Sequence, residues 1–170
     1  STPSTATTPS SSNTPKPSVS AYNTVLHGYI VAGEMSKANG VLDAMKRDGV
    51  RPDIFTCNTL LKLWSSQRRI DKCETLLHTM YKTGPAPDVR SLTLLLCGYR
   101  DVKAYDKADA LISRILGTAT YKPDTVLFSV MVDVLCQQDR VADAAAMLER
   151  MKSAGIKPTR ALYQRLATAV

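Results

Sequence analysis

Five prolines divide this chain at nearly constant intervals: Pro17, Pro52, Pro87, Pro123 and Pro158 stand 35, 35, 36 and 35 residues apart. The remaining prolines, Pro3, Pro9, Pro15 and Pro85, fall in the N-terminal tail or beside a marker. Directly after the markers come Ser18, Asp53, Asp88, Asp124 and Thr159. All are small, oxygen-bearing residues able to cap the first turn of a helix. A fixed period of this size specifies stacked supersecondary units, each too small to close a core of its own, and not one closed globule.

Each interval has the same internal layout. An apolar-rich segment comes first: "SAYNTVLHGYIVAG", "FTCNTLLKLWSSQ", "RSLTLLLCGYRDV" and "VLFSVMVDVLCQQ". A short polar break follows at Glu34–Met35, Arg68–Arg69, Lys103–Ala104 and Asp139–Arg140. A second segment then shows helical spacing. In the last copy Ala142, Ala145, Ala146 and the stretch Leu148–Met151 recur on one side, as an amphipathic helix requires. Every second segment reaches a glycine: Gly49, Gly84, Gly117 and Gly155. Glycine past a helix end is expected to supply a left-handed stop, and the proline beyond it prevents resumption. The pattern predicts helix, turn, helix, glycine, proline in every unit, with no strand signal. The fold class is therefore all-α, a stack of helical hairpins.

The units run 19–53, 54–88, 89–124 and 125–159, with a half unit at 160–170; the one extra residue of the third falls in the 117–122 loop. Leu162 and Leu166 of the half unit are expected to pack on the fourth unit, and the open ends to expose apolar surface. Residues 1–18 differ, since fifteen of them are Ser, Thr or Pro. Such a tail cannot bury enough apolar surface to order itself, and the expectation is that it lies extended along another molecule. Opening on Ser, the chain reads as a processed or cut product.

Composition narrows the function. The 170 residues are 44% hydrophobic and 22% charged, enough for an ordinary core. The longest apolar run, "LTLLLCGY", is far short of a membrane span. A net charge of +7 favours an anionic partner. The surplus is central and C-terminal: units two and three carry +2 each, through residues that include Lys62, Arg68, Arg69, Arg90, Arg100 and Lys103. Phosphate contact fits this distribution, and so does a solvated helix face. Cys57, Cys73, Cys97 and Cys136 are spaced too widely for a zinc site and read as reduced thiols that pack as small hydrophobes. His27 and His78 have no plausible nucleophile or carboxylate beside them in sequence, and no phosphate loop or acidic metal cluster is visible. No catalytic residue, metal or cofactor is expected, and an enzyme is not.

The first helices carry "YNTVLHGY", "CNTLLKLW", "LTLLLCGY" and "FSVMVDVL", and the second helices end in patterns such as "MKRDGVRPD" and "MKSAGIKPT". With the 35-residue period, this resembles the pentatricopeptide repeat family over residues 19–159, plus the half unit. The resemblance implies a right-handed α-solenoid that binds single-stranded RNA, one nucleotide per unit, read by the fifth and last residues of each repeat. Those pairs are Asn23 with Asp53, Asn58 with Asp88, Thr93 with Asp124, and Ser129 with Thr159. The second residue of each unit would flank the bases: Phe55, Arg90 and Val126, with Ser20 a poor platform. The implied register is 5′-U-U-G-N-3′, the fourth base left open by a pair without a carboxylate. Asp accepts but cannot donate, so it suits the imino N–H of uracil or guanine. The same Asn and Asp residues also read as helix caps.

The resemblance further implies work in an organelle, a mitochondrion or alternatively a plastid, in RNA metabolism or translation. Four bases specify only about 256 sequences, so selective placement needs further repeats or a partner. The alternative reading is a structural subunit of a mitochondrial ribosome or similar ribonucleoprotein, holding ribosomal RNA and other protein subunits. A peptide-binding scaffold of the tetratricopeptide kind is a third.

Overall fold

The computed structural model describes residues 16–168, which form nine α-helices and no strand. The tail expectation falls on residues 1–15, outside the described residues, except at its last positions. The helices group into two compact units, divided after Arg51.

The first unit holds α1 (Val19–Val31) and α2 (Met35–Arg47), packed as a hairpin. Ser18 caps α1, its side chain accepting from Ala21 N–H at 3.2 Å. Leu26, Ala38, Val41 and Met45 are buried, while Val25 and Val31 stay exposed. The Tyr22 hydroxyl donates to the Asp48 carboxylate, and the Lys16 ammonium to the Asp48 carbonyl at 3.2 Å.

The second unit holds α3 (Ile54–Ser66), α4 (Ile70–Lys82), α5 (Val89–Asp101), α6 (Tyr105–Gly117), α7 (Thr125–Cys136), α8 (Val141–Ser153) and α9 (Arg160–Thr168). These helices form two layers. The first helices of successive repeats, α3, α5, α7 and then α9, touch in series; α4, α6 and α8 each pack on their own partner and on the next first helix. The core between them is built from Leu61, Leu77, Met80, Leu92, Leu96, Ile115, Leu127, Met131 and Met151. Helix α7 packs on α5, α6, α8 and α9 and buries seven residues, so most of its sequence is apolar. Leu162 is buried and Leu166 half-buried against the same core, as the half unit requires.

The proline markers work as expected at four of the five places, where Ser18, Asp53, Asp88 and Asp124 cap α1, α3, α5 and α7. The glycine stops work at two of four. Gly49 and Gly155 adopt left-handed φ values of 68° and 76°. Gly117 ends α6 as an ordinary helical residue, and Gly84 is not left-handed. The left-handed residue appears instead inside the hairpins, at Gly33, Arg68, Lys103 and Asp139. At Arg68, for example, its N–H reaches the Ser65 carbonyl at 3.0 Å and the next N–H, of Arg69, reaches the Trp64 carbonyl at 2.8 Å. This double closure satisfies the last carbonyls of α3 and demands a left-handed residue whatever its side chain. Gly33, Arg68, Lys103 and Asp139 occupy equivalent places, so hydrogen bonding imposes the conformation on three non-glycine residues.

Candidate functional site

The repeated carboxylates and their neighbours converge at the N-terminal ends of the first helices. Asp88 caps α5: its Oδ1 accepts from Ser91 N–H at 2.8 Å and lies 2.9 Å from Ser91 Oγ, while Ser91 Oγ accepts from Asp88 N–H at 3.3 Å. This is a reciprocal capping box with serine in the usual Glu or Gln place. Asp53 and Thr56 form the same box on α3, with Thr56 N–H to Asp53 Oδ1 at 2.8 Å.

Asn58, from α3 of the preceding repeat, joins the cluster. Its Nδ2 lies 3.3 Å from both carboxylate oxygens of Asp88, and its Oδ1 accepts from Ser91 Oγ at 2.7 Å. Asn58 is buried, whereas Asp88 stays exposed. Partial burial pushes the Asp88 carboxyl up, but the hydrogen bonds it receives from Ser91 and Asn58 outweigh it and hold the group below its ordinary range. The site is thus an ionised acceptor with an amide donor beside it. Asp88 Oδ1 is occupied by the cap; Oδ2 receives only Asn58 among the described residues and keeps room for another donor.

The next pair is built differently. Asp124 caps α7 by accepting from Leu127 N–H at 2.8 Å, with no hydroxyl to close a box. The Thr93 hydroxyl turns back to the Val89 carbonyl of its own helix at 2.8 Å. In the fourth unit the Ser129 hydroxyl does the same toward the Thr125 carbonyl at 2.7 Å, and Thr159 is exposed just before α9. In the first unit Asn23 is buried on α1. The asparagines therefore sit one turn inside their helices, away from the cap positions, while the aspartates do cap. The cap reading therefore holds for the aspartates and not for the asparagines.

Phe55, Arg90 and Val126, one residue into α3, α5 and α7, are all exposed; Phe55 and Val126 have 53% and 60% of their surface open. Burying such a phenylalanine would be favourable, so an open Phe55, with Arg90 and Val126 at the same place in the next two repeats, leaves a partly apolar strip beside the carboxylates.

Toward the opposite ends of the same helices lies a cavity of about 600 Å³ lined by Arg68, Arg100, Lys103, Tyr105 and Gln137, among others. Arg100 is held by Asp101 at 2.9 Å and Asp133 at 3.4 Å, and Arg165 of α9 closes on the same Asp133. Lys62, Arg68, Arg90 and Lys103 make no ion pair among the described residues, so their charges remain available. Sequence reading selected most of these cations but missed the Asp133 clasp, which joins residues far apart in the chain. It also missed Ser91, whose only signal was a hydroxyl three residues after a capping Asp, shared with Thr56. Among the described residues no cluster of His, Cys, Asp and Glu could hold a metal ion, and no helix is long and apolar enough to cross a membrane.

Comparison with known proteins places this arrangement. The PPR repeat family model matches residues 17–63 and 52–101, and a PPR repeat model matches residues 120–152. The crystal structure of the pentatricopeptide repeat protein PPR10 from maize aligns with a TM-score of 0.76 and 24% identity, over 91% of this chain and 22% of that one. PPR10 in complex with an 18-nt psaJ RNA element gives 0.75 at 24% identity with the same coverage. The PPR domain of Arabidopsis thaliana protein-only RNase P 1, in complex with tRNA, gives 0.75 at 17% identity, over 92% of this chain and 82% of that one. These likenesses show the fold. The chain spans about a fifth of the maize protein it matches. No curated protein sequence matches it.

Proposed function

The chain belongs to the pentatricopeptide repeat family, and from that footing we propose that it binds single-stranded RNA along its layer of first helices, one nucleotide per repeat. The observation that carries the reading is the Asn58–Asp88 pair: an ionised acceptor and an amide donor, side by side at the surface, next to exposed Phe55 and Arg90. That pattern is complementary to the imino N–H and carbonyl of uracil. Aromatic and guanidinium faces at the second positions add stacking of about 1–3 kcal/mol per base for an aromatic. The unpaired cations Lys62, Arg68, Arg90 and Lys103 meet the phosphates. Two structural relatives, PPR10 and the PPR domain of protein-only RNase P 1, were crystallised with RNA. On this reading the chain is a binding module and carries no catalysis of its own. Its organelle setting rests on the family resemblance alone.

The pairs Asn58–Asp88 and Thr93–Asp124 would read uracil and then guanine. Thr93→Asn would make the second pair match the first and move its base toward uracil. The test is equilibrium binding to short strands containing UUG or UUU. The wild type is expected to prefer UUG and the variant UUU. Unchanged rank would defeat the pairing rule, and binding of neither strand above a duplex control would defeat RNA reading by this chain.

A further inference from the structure

Building on the base-reading proposal, we infer that Ser91, the third residue of the following repeat, is a positioning residue that sets base selectivity by fixing which way the Asn58 amide faces. An asparagine amide can turn over and exchange its donor and acceptor, so an asparagine alone does not specify a base. Here it is held at both ends. Asp88 only accepts, so it favours Nδ2 on its side, but its two oxygens lie at 3.3 Å and make long bonds that alone do not lock the amide. That leaves Asn58 Oδ1 facing Ser91 Oγ at 2.7 Å. The serine has one proton to donate. Asp88 Oδ1, at 2.9 Å, already receives Ser91 N–H and Asn58, whereas Asn58 Oδ1 is buried and has no other donor among the described residues. The proton therefore belongs on Asn58. With its oxygen turned into the buried cluster and held by Ser91, the amide presents its remaining N–H to a base.

The sequence follows the same logic. The third residue of the next repeat is a hydroxyl after each asparagine, Thr56 after Asn23 and Ser91 after Asn58. After Thr93 and Ser129, which have no amide to orient, it is Leu127 and Leu162. Those two leucines are core residues, exposed by 0% and 2%, and the threonine and serine hydroxyls bond within their own helices. In the sequence a hydroxyl thus stands at this place only where the preceding repeat carries an asparagine, and the Ser91–Asn58 bond shows the use made of it.

The experiment compares full-chain wild type, Ser91→Ala and Ser91→Thr on short single strands that differ only at the base opposite Asn58 and Asp88. Losing one neutral hydrogen bond of this kind is expected to erode the preference for U over C by roughly tenfold in Ser91→Ala. Ser91→Thr, which keeps the hydroxyl as Thr56 does, retains it. Side-chain amide NMR gives a readout without RNA: the Asn58 NH₂ signals should stay distinct in wild type and Ser91→Thr and collapse toward free-amide positions in Ser91→Ala. Should the alanine variant fail to fold by circular dichroism, Ser91→Cys fills nearly the same space with a weak donor and is expected to lose selectivity likewise. A folded Ser91→Ala or Ser91→Cys that keeps the wild-type preference overturns the inference and leaves base reading intact. A wild type without preference at that base overturns base reading first, and this inference with it.

Discussion

Replacing both Arg68 and Lys103 by glycine should make the protein more stable and bind RNA less well. Both residues hold left-handed backbone, at φ 58° and 59°, because the ends of α3 and α5 close on them. A side chain with a Cβ costs about 1–2 kcal/mol there. Glycine removes that cost but adds about 0.5–1 kcal/mol of unfolded-state freedom. The net gain is about 0.5–1 kcal/mol at each site, hence about 1–2 kcal/mol together. Neither side chain makes an ion pair among the described residues, so truncation forfeits little. Both line one cavity with Arg100, so removing two like charges acts in the same direction. For a chain of this size the gain corresponds to roughly 2–4 °C of melting temperature per kcal/mol. Urea and thermal melts followed by circular dichroism would measure it. The same double variant should flatten the salt dependence of RNA binding by about 0.7 in log–log slope for each phosphate that is no longer neutralised. A double variant that melts at or below the wild-type midpoint would refute the strain argument. One that is more stable but keeps the full salt slope would remove these two cations from the RNA interface.

Three further outcomes follow from the packing. A Cβ on Gly98 would lie 2.7 Å from Ile70 Cδ1 and 3.3 Å from Ser65 Cβ, so Gly98→Leu should overpack the α3–α5 contact and cost about 1–3 kcal/mol in a urea melt. Leu162→Ala should cost about 2–5 kcal/mol and raise amide exchange across α9, whose docking this side chain anchors. Burial, reinforced by nearby carboxylates, pushes the Cys57 and Cys73 thiols from 9.0 up to about 11. Because the folded values are raised, their contribution is fully present below about pH 9 and lost as pH climbs toward about 11. Stability of the wild type should fall more steeply across that window than in a Cys57→Ala/Cys73→Ala variant.

How much the sequence determined depends on whether a feature is local. The period, the helix starts at Asp53, Asp88 and Asp124, and the packing of Leu162 were legible because capping and amphipathic spacing act within one or two turns. Position within the repeat also nominated Asn58, Asp88, Phe55 and Arg90. The glycine stops were only half legible. Gly84 and Gly117 look like stops in sequence, yet left-handed backbone went to Arg68, Lys103 and Asp139, where closure of the hairpin required it. Tertiary structure alone decided that Asn58 is buried while Asp88 is not, and that a serine 33 residues downstream grips the amide. It also decided that Asp133 clasps Arg100 and Arg165. Those outcomes depend on which side chains meet when successive repeats stack, and a linear period fixes the spacing of the repeats but not the rotation and contact between their faces.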